Sequence, residues 1–94
     1  MERAREIAEL LKALANEHRL GILCALIDGP RTVGALGAVV PDIGQSALSQ
    51  HLALMKARGI VDSIKTGQNV IYFIADRRIE EVVDTLKKHY CHGN

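Results

Sequence analysis

The segment from Gly44 to Gly59 constrains the fold of this chain more than any other stretch. As a helix it would carry one apolar stripe, because its large apolar residues recur at i, i+4 and i+7. The opposite face would be polar, small and uncharged, whereas a solvated helix face usually carries Glu and Lys. Such a face is typical of a helix that lies against a partner and forms hydrogen bonds with it. The stripe consists of Leu48, Leu52 and Met55, and the outer face of Ser46, Ser49, Gln50 and Ala53.

Duplex DNA is a partner that matches this chemistry. Gln can pair with an adenine edge, Ser can donate or accept, and a small Ala leaves room for a thymine methyl group in a major groove that admits one helix. The alternative is a surface helix that merely lacks charges. The preceding residues favour DNA, because Thr32 can cap a short helix through Val40 and Pro41–Gly44 then forms a turn. A short helix, a tight turn and a second helix form a helix-turn-helix.

A two-stranded wing is predicted after this unit. Gly59 ends the helix, and residues 60–65 and 70–75 are rich in β-branched and aromatic residues. Residues 66–69, Thr-Gly-Gln-Asn, form a turn sequence of hairpin length. The tip residues Lys65, Gln68 and Asn69 are placed to contact backbone phosphate or the minor groove. The alternative interpretation is that these residues form an ordinary solvated hairpin tip with no role in DNA binding.

Three more helices are predicted, which makes the fold mainly α with a small β-hairpin. Residues 2–15 have helical apolar spacing, and residues 17–28, with Asn16 as N-cap, are apolar over most of the helix circumference. Asp76 can cap the last helix, residues 77–90. We therefore expect a winged helix-turn-helix of five helices plus a two-stranded wing, in one domain that spans residues 1–94.

The first and last helices are not needed to close a core of three helices and a wing, and their presence predicts a homodimer. Each is amphipathic, so together they would expose an apolar strip unless a second copy covered it. A two-fold dimer would place two recognition helices about 34 Å apart, one turn of DNA. It would also explain how a chain with a formal net charge of only +1 binds DNA. The expected partner is a palindromic operator in double-stranded DNA, bound with salt-dependent affinity.

Composition and motifs argue against other classes. The chain has no signal peptide and no apolar run long enough to cross a bilayer, so we expect a cytoplasmic protein without membrane contact. It has no Cys-x-x-Cys, no Gly-rich phosphate loop and no convincing carboxylate pair, so we expect neither an enzyme nor a cofactor. A winged helix that binds a protein remains an alternative. That module would expose apolar residues on the organising helix, and Ser46, Ser49 and Gln50 are the wrong chemistry for it.

Four stretches of this sequence resemble the ArsR/SmtB repressors. They are Leu14–Leu20 with Ile22-Leu23, Gln45–Leu52, Gly59–Val61 and Gly67–Tyr72. The resemblance extends over essentially the whole chain and implies a dimeric winged-helix repressor that binds its operator until an inducer arrives. It also implies which residues contact bases. These are Gln45, Ser46, Ser49, Gln50 and His51. His51 borders the apolar stripe, so a packed structural histidine is an equal interpretation.

The resemblance also bears on the inducer. The family's Cys-x-Cys metal pattern falls here on Thr32 and Gly34, which are not ligands of that kind. Its zinc pattern on the last helix is broken, because an Arg stands where a His ligand is needed. That pattern falls on Asp76, Arg78, His89 and His92. Cys24 and Cys91 remain, and they resemble the pair in the sulfide-responsive branch, whose members react with persulfides or polysulfides and release DNA.

The chemistry of the two cysteines fits this interpretation. A thiolate attacks sulfane sulfur, and basic residues near Cys91 favour its ionised form. These are Lys87, Lys88, His89 and His92. A bridge with extra sulfur atoms spans more distance than a plain disulfide, which would separate a persulfide signal from peroxide. The alternative is metal or metalloid binding by Cys24, His89, Cys91 and His92. Cys24 could also be a small buried hydrophobe, and Cys91 an idle exposed thiol.

Overall fold

Five helices and three strands follow one another along residues 2–90, the part of the chain that the computed structural model describes; of Glu2 only the backbone is described. In chain order they are α1 Glu2–Leu14, α2 Glu17–Ile27, β1 Arg31–Thr32, α3 Val33–Val39, α4 Gln45–Ala57, β2 Val61–Thr66, β3 Asn69–Ile74 and α5 Arg77–Tyr90. The predicted winged helix-turn-helix is confirmed, with helix ends within one or two residues of the predicted ones.

Side-chain caps explain where three of the helices begin. Asn16 accepts hydrogen bonds from the backbone N–H groups two and three residues later, at 2.9 and 3.1 Å, and so starts α2. Thr32 accepts from the N–H three residues later at 3.1 Å, at the start of α3. Asp76 accepts from the N–H two residues later at 2.9 Å, ahead of α5. Each cap satisfies N–H groups that have no partner within the helix, and all three were predicted.

The wing forms part of a three-stranded antiparallel sheet in the order β1-β3-β2. β2 and β3 pair from Val61 opposite Ile74 to Thr66 opposite Asn69, which confirms the predicted hairpin. Gly67 has a φ of 62°, which suits the first position of the two-residue turn between them. The third strand, β1, was not predicted. β1 pairs with the far edge of β3 and has only two residues, too few for a strand pattern to show in the sequence.

The core is aliphatic and lies around α2, which contacts α3, α4, α5 and β3. Ile22 and Leu23 are fully buried at its centre. Large side chains from the other elements complete the core. They are Leu36, Leu52, Met55, Ile60, Val61, Ile79 and Val83. Within the described range, none of the helices combines the length and apolar character that a bilayer span requires.

The outer helices α1 and α5 keep large apolar side chains on the surface of the chain. Ile7 is 55% exposed and Tyr90 is 80% exposed, and Leu11, Val82 and Leu86 are also exposed. A groove of about 560 Å³ runs between the two helices, with Ile7, Leu11 and Val82 in its walls. The single chain therefore leaves uncovered the apolar strip that its amphipathic outer helices predict.

Candidate nucleic-acid interface

The two faces of α4 are separated as predicted. Leu48, Leu52 and Met55 are buried in the core. The predicted outer face is exposed throughout. It consists of Ser46, Ser49, Gln50 and Ala53, and Gln45 at the start of α4 is also exposed. The structure thus presents a continuous surface of hydrogen-bonding side chains without a formal charge.

The four polar side chains lie in the first two turns of α4. Gly44 is the N-cap residue and provides no side-chain hydrogen bond, so the helix start is not covered by a capping side chain. Gln45 and Ser46 are exposed in the first turn, and Ser49 and Gln50 follow one turn later. In a helix-turn-helix the N-terminal residues of the second helix are the ones that contact base edges. The exposed set is therefore at the end of α4 that such contacts require.

The wing stands beside α4 and is attached to it by a lysine. Lys65, Gln68 and Asn69 are all exposed at the tip. At the other end of the hairpin, Lys56 Nζ donates a hydrogen bond to Ser63 Oγ at 2.8 Å and lies 4.0 Å from a carboxylate oxygen of Asp62. This connection between the last turn of α4 and β2 was not predicted. Lys56 and Ser63 carry no pairing pattern that the sequence alone would show.

His51 lies on the side of α4 that faces α2 and is half-buried. Its Nδ1 accepts a hydrogen bond from Arg19 Nε at 3.2 Å, and its ring centroid is 5.8 Å from that of His18. The pKa of His51 is lowered from 6.5, first because burial disfavours the charged ring and then because Arg19 and His18 repel it. The packed interpretation of His51 therefore has a defined partner, Arg19, while a DNA contact from this residue stays a prediction.

A second polar contact joins α2 to the turn before α4. His18 Nε2 and Asp42 Oδ2 are 3.1 Å apart, and this hydrogen bond lowers the pKa of the Asp42 carboxyl. Glu17 lies beside them, and the potential ligand atoms of Glu17, His18 and Asp42 are within 4.8 Å of one another. This group was not predicted from the sequence, because Asp42 is 24 residues from His18. The contact fixes the turn against the start of α2.

Cys24 is half-buried on α2, the helix that packs against α5. A surface groove of about 490 Å³ adjoins it, with Leu20, Val39 and Lys87 in its walls. Lys87 Nζ donates to the backbone carbonyl of Cys24 at 3.1 Å and to both carboxylate oxygens of Asp28, at 3.1 and 3.0 Å. The expectation that Lys87 favours the Cys91 thiolate stays a prediction; within the described residues its ammonium group contacts α2 and the C-cap residue Asp28.

The rest of the predicted cysteine and metal sites is only partly described. His89 is exposed in the last turn of α5. Cys91 and His92 lie outside the described residues. Of the alternative metal ligands Cys24, His89, Cys91 and His92, the structure therefore describes only Cys24 and His89. Of the two cysteines predicted to react with persulfide, it describes only Cys24.

Comparisons with known proteins agree with this geometry. A model of a helix-turn-helix domain matches residues 14–64, more than half of the chain. The transcriptional activator HlyU of Vibrio cholerae is 42% identical over 85 residues, which cover 90% of this chain and 78% of that protein. The biofilm growth-associated repressor of Agrobacterium fabrum is 37% identical over 90 residues, covering 96% of this chain and 76% of the repressor.

A solved structure extends the similarity to three dimensions. The structure of reduced HlyU from Vibrio cholerae superposes with a TM-score of 0.91 at 38% identity, covering 97% of this chain and 95% of that one. These relatives are named as regulators of transcription and not as enzymes. One is named an activator and one a repressor, so the names agree on the class of protein but not on the direction of control. By these matches the chain belongs to the helix-turn-helix transcriptional regulators of the ArsR/SmtB type.

Proposed function

We propose that this chain is a homodimeric repressor that binds a palindromic operator in double-stranded DNA. The observation that carries the proposal is the uncharged hydrogen-bonding face at the start of α4, which is exposed while the opposite face is buried. Gln45, Ser46, Ser49 and Gln50 would contact base edges in the major groove. A protein-binding module would instead need large apolar residues exposed on this face, and the exposed face of α4 contains no large apolar residue.

The wing would contribute affinity rather than sequence preference. Lys65, Gln68 and Asn69 are exposed at its tip, where a lysine and two amides can contact phosphate or the minor groove. Contacts to phosphate do not depend on the base sequence, so the wing would set the register of α4 on the duplex. The tether between Lys56 and Ser63 supports this role, because it holds β2 against the end of α4.

The dimer would form through α1 and α5 of one winged-helix domain spanning residues 1–94. Ile7, Leu11, Val82 and Leu86 are exposed large apolar side chains on these two helices, and isolated soluble chains rarely leave such strips uncovered. A two-fold contact there would place two copies of α4 about 34 Å apart, at the spacing of adjacent major grooves on one side of the duplex. Two subunits, each with a formal net charge of only +1, would then bind the same DNA duplex together.

Cys24 and Cys91 would form the switch that releases DNA, with persulfide or polysulfide as the inducer. α2 carries Cys24, packs against α5 and also contacts α4. Each thiolate would attack a sulfane sulfur of the polysulfide, break an S–S bond and displace a shorter sulfide anion that carries away the electron pair, so the polysulfide itself is the oxidant. The resulting sulfur link between Cys24 and Cys91 would change how α2 and α5 pack and would shift the two recognition helices relative to each other. The solved HlyU structure is of a reduced protein, and this supports a redox site in the present chain.

The test is intact mass and DNA affinity of the reduced protein after separate treatment with polysulfide, glutathione disulfide, hydrogen peroxide and zinc. The DNA probe is a duplex that the protein selects from a randomised pool. We expect polysulfide to add whole sulfur atoms and release the duplex, and Cys24→Ser or Cys91→Ser to abolish both effects. Release by zinc alone would make the cysteines and His89 or His92 metal ligands. Failure to select any duplex would contradict the repressor itself.

A further inference from the structure

Arg19 connects three helices through a single side chain. Its Nε donates to His51 Nδ1 on α4 at 3.2 Å, and its Nη1 donates to the backbone carbonyl of Ala13 on α1 at 2.9 Å. Its backbone N–H is held by the Asn16 cap at the start of α2. The Ala13 carbonyl is in the last turn of α1 and has no partner within that helix, so the guanidinium satisfies a buried acceptor.

We propose that Arg19 is a positioning residue for operator recognition, which acts through the acceptor nitrogen of His51 to fix α4 relative to α1. The inference deepens the proposed function and rests on it. α1 is the helix proposed to lie at the dimer interface, and α4 is the helix proposed to enter the major groove. Arg19 would therefore set the spacing and tilt of the two recognition helices, although it makes no contact with bases itself.

The bond requires one particular form of His51. An arginine N–H can only donate, so Nδ1 must be unprotonated and the ring proton must be on Nε2. A charged imidazolium has no acceptor and would repel the guanidinium beside it. Acidification should therefore break the link between α2 and α4 while leaving the hydrogen bond from Arg19 to Ala13 in place.

The other charged groups near His51 would not replace this contact. On α2, His18 is close in ring distance but is bonded to Asp42 of the turn. On β2, Asp62 lies beside Lys56, the next basic residue along α4. α3 contains no ionisable side chain. Of the charged groups on the elements packed against α4, Arg19 is thus the one with a hydrogen bond to His51 itself. The other ionisable residues of α4, β2, the first turn of α2 and the turn before α4 are Glu17, His18, Asp42, Lys56, Asp62 and Lys65.

The experiment compares affinity for a selected duplex with affinity for a random duplex of the same length, at pH 7.5 and at lower pH. The ratio of the two affinities removes the general effect of adding positive charge to histidines, since that effect strengthens binding to both duplexes. We expect His51→Ala to lower the ratio about tenfold at pH 7.5, the effect of losing one hydrogen bond to a charged group. Arg19→Ala should lower it equally, and the double variant should lose no more than either single variant.

Two substitutions separate positioning from bulk stability. In His51→Asn the amide oxygen is bonded to Cγ, as Nδ1 is, so it can accept from Arg19 but cannot titrate. The wild-type ratio should fall as the pH drops through the lowered pKa of His51, and His51→Asn should keep a ratio that does not change with pH. Arg19→Lys should not restore the ratio, because one ammonium lacks the two spaced donors of the guanidinium. Arg19→Ala also leaves the Ala13 carbonyl without its donor. If Arg19→Ala does not fold for that reason, His51→Ala alone tests the contact between Arg19 and His51.

The result that would overturn the inference is an unchanged ratio in folded His51→Ala, or a pH response that persists in His51→Asn. Nitrogen-15 NMR of the His51 ring gives an independent readout without DNA. We expect a proton on Nε2 at pH 7.5, and a proton on Nδ1 would contradict the bond. If wild-type protein selects no duplex, the proposed function fails; if it selects one that binds with a pH-independent ratio, only the role of Arg19 fails.

Discussion

Lys56 at the end of α4 donates a hydrogen bond to Ser63 on β2 across a distance of 2.8 Å, and so ties the wing to the recognition helix. The two residues are seven apart in sequence and belong to different kinds of element. A wing contact with DNA is useful only if the hairpin keeps its position beside α4. This hydrogen bond and the 4.0 Å approach of Lys56 to Asp62 are polar side-chain contacts between α4 and β2 in the described residues.

Ser63→Ala should loosen the wing without changing any charge. The hydrogen bond is solvent-exposed, so its contribution is at the low end of the usual range, about 0.5 kcal/mol. We expect amide hydrogen exchange in β2 to become about twofold to threefold faster and the affinity for a selected duplex to fall by a similar factor. Ser63→Thr keeps the hydroxyl group and serves as the control. Equal exchange rates in β2 of Ser63→Ala and wild type would contradict the tether.

Gln50→Ala should weaken binding to the selected duplex and relax its sequence preference. A bidentate amide contact with a base discriminates by about 1–3 kcal/mol, which is roughly fivefold to 150-fold in affinity. Lys65→Ala at the wing tip is the matched comparison. It should weaken selected and random duplexes alike and reduce the salt dependence by about one phosphate contact. Fluorescence anisotropy at several salt concentrations measures both effects. If Gln50→Ala lost the same factor of affinity for both duplexes, Gln50 would not be a base-contacting residue.

The sequence was sufficient for features that depend on neighbouring residues. The apolar stripe of α4, the Asn16 and Asp76 caps and the Gly67 turn all depend on residues within about one helical turn or hairpin. β1 was missed because two residues have no detectable periodicity. The bond between Arg19 and His51 was missed for another reason: its partners are 32 residues apart, and only the packing of α2 on α4 brings them together. Polar contacts between elements have no sequence period.

Asp76→Ala should destabilise the protein by about 1 kcal/mol, the usual cost of losing an N-cap. The Asp76 carboxylate accepts hydrogen bonds from the exposed guanidinium of Arg78 and from the backbone N–H of the same residue, and these contacts, the guanidinium first, lower the pKa of Asp76. The ion pair should contribute little, since Arg78 is largely solvated. Asp76→Asn keeps a cap acceptor and should therefore stay close to wild type. Urea unfolding at one fixed protein concentration measures the difference; equal losses in both variants would assign the effect to charge and not to capping.

His51 should make stability decrease in mildly acidic solution. Its pKa is lowered in the fold from 6.5, so below pH 6.5 the unfolded chain binds a proton that the folded chain resists. The contribution of neutral His51 is complete above pH 6.5 and is lost as the pH falls through the lowered pKa. Asp42 acts in a separate window, because its lowered pKa matters only at pH values near 3.8 and below. Thermal unfolding between pH 7.5 and about 5 should show a smaller decrease in His51→Asn than in wild type. Parallel curves for the two proteins would exclude His51 as the source.

Ile7→Glu should separate the subunits and, with them, the tight binding to a two-fold duplex. Ile7 is 55% exposed on α1, so a charge there is tolerated in the single chain but would be buried without a partner in the proposed dimer. Ile64→Glu is a matched control, because Ile64 on β2 is also 55% exposed and lies away from α1 and α5 in the chain. Sedimentation equilibrium should give a monomer for Ile7→Glu and a dimer for Ile64→Glu. Binding of a single half-site should survive in Ile7→Glu, since α4 is unchanged. A dimeric Ile7→Glu would place the interface elsewhere, and a monomeric wild type that still binds a palindrome tightly would contradict the need for a dimer.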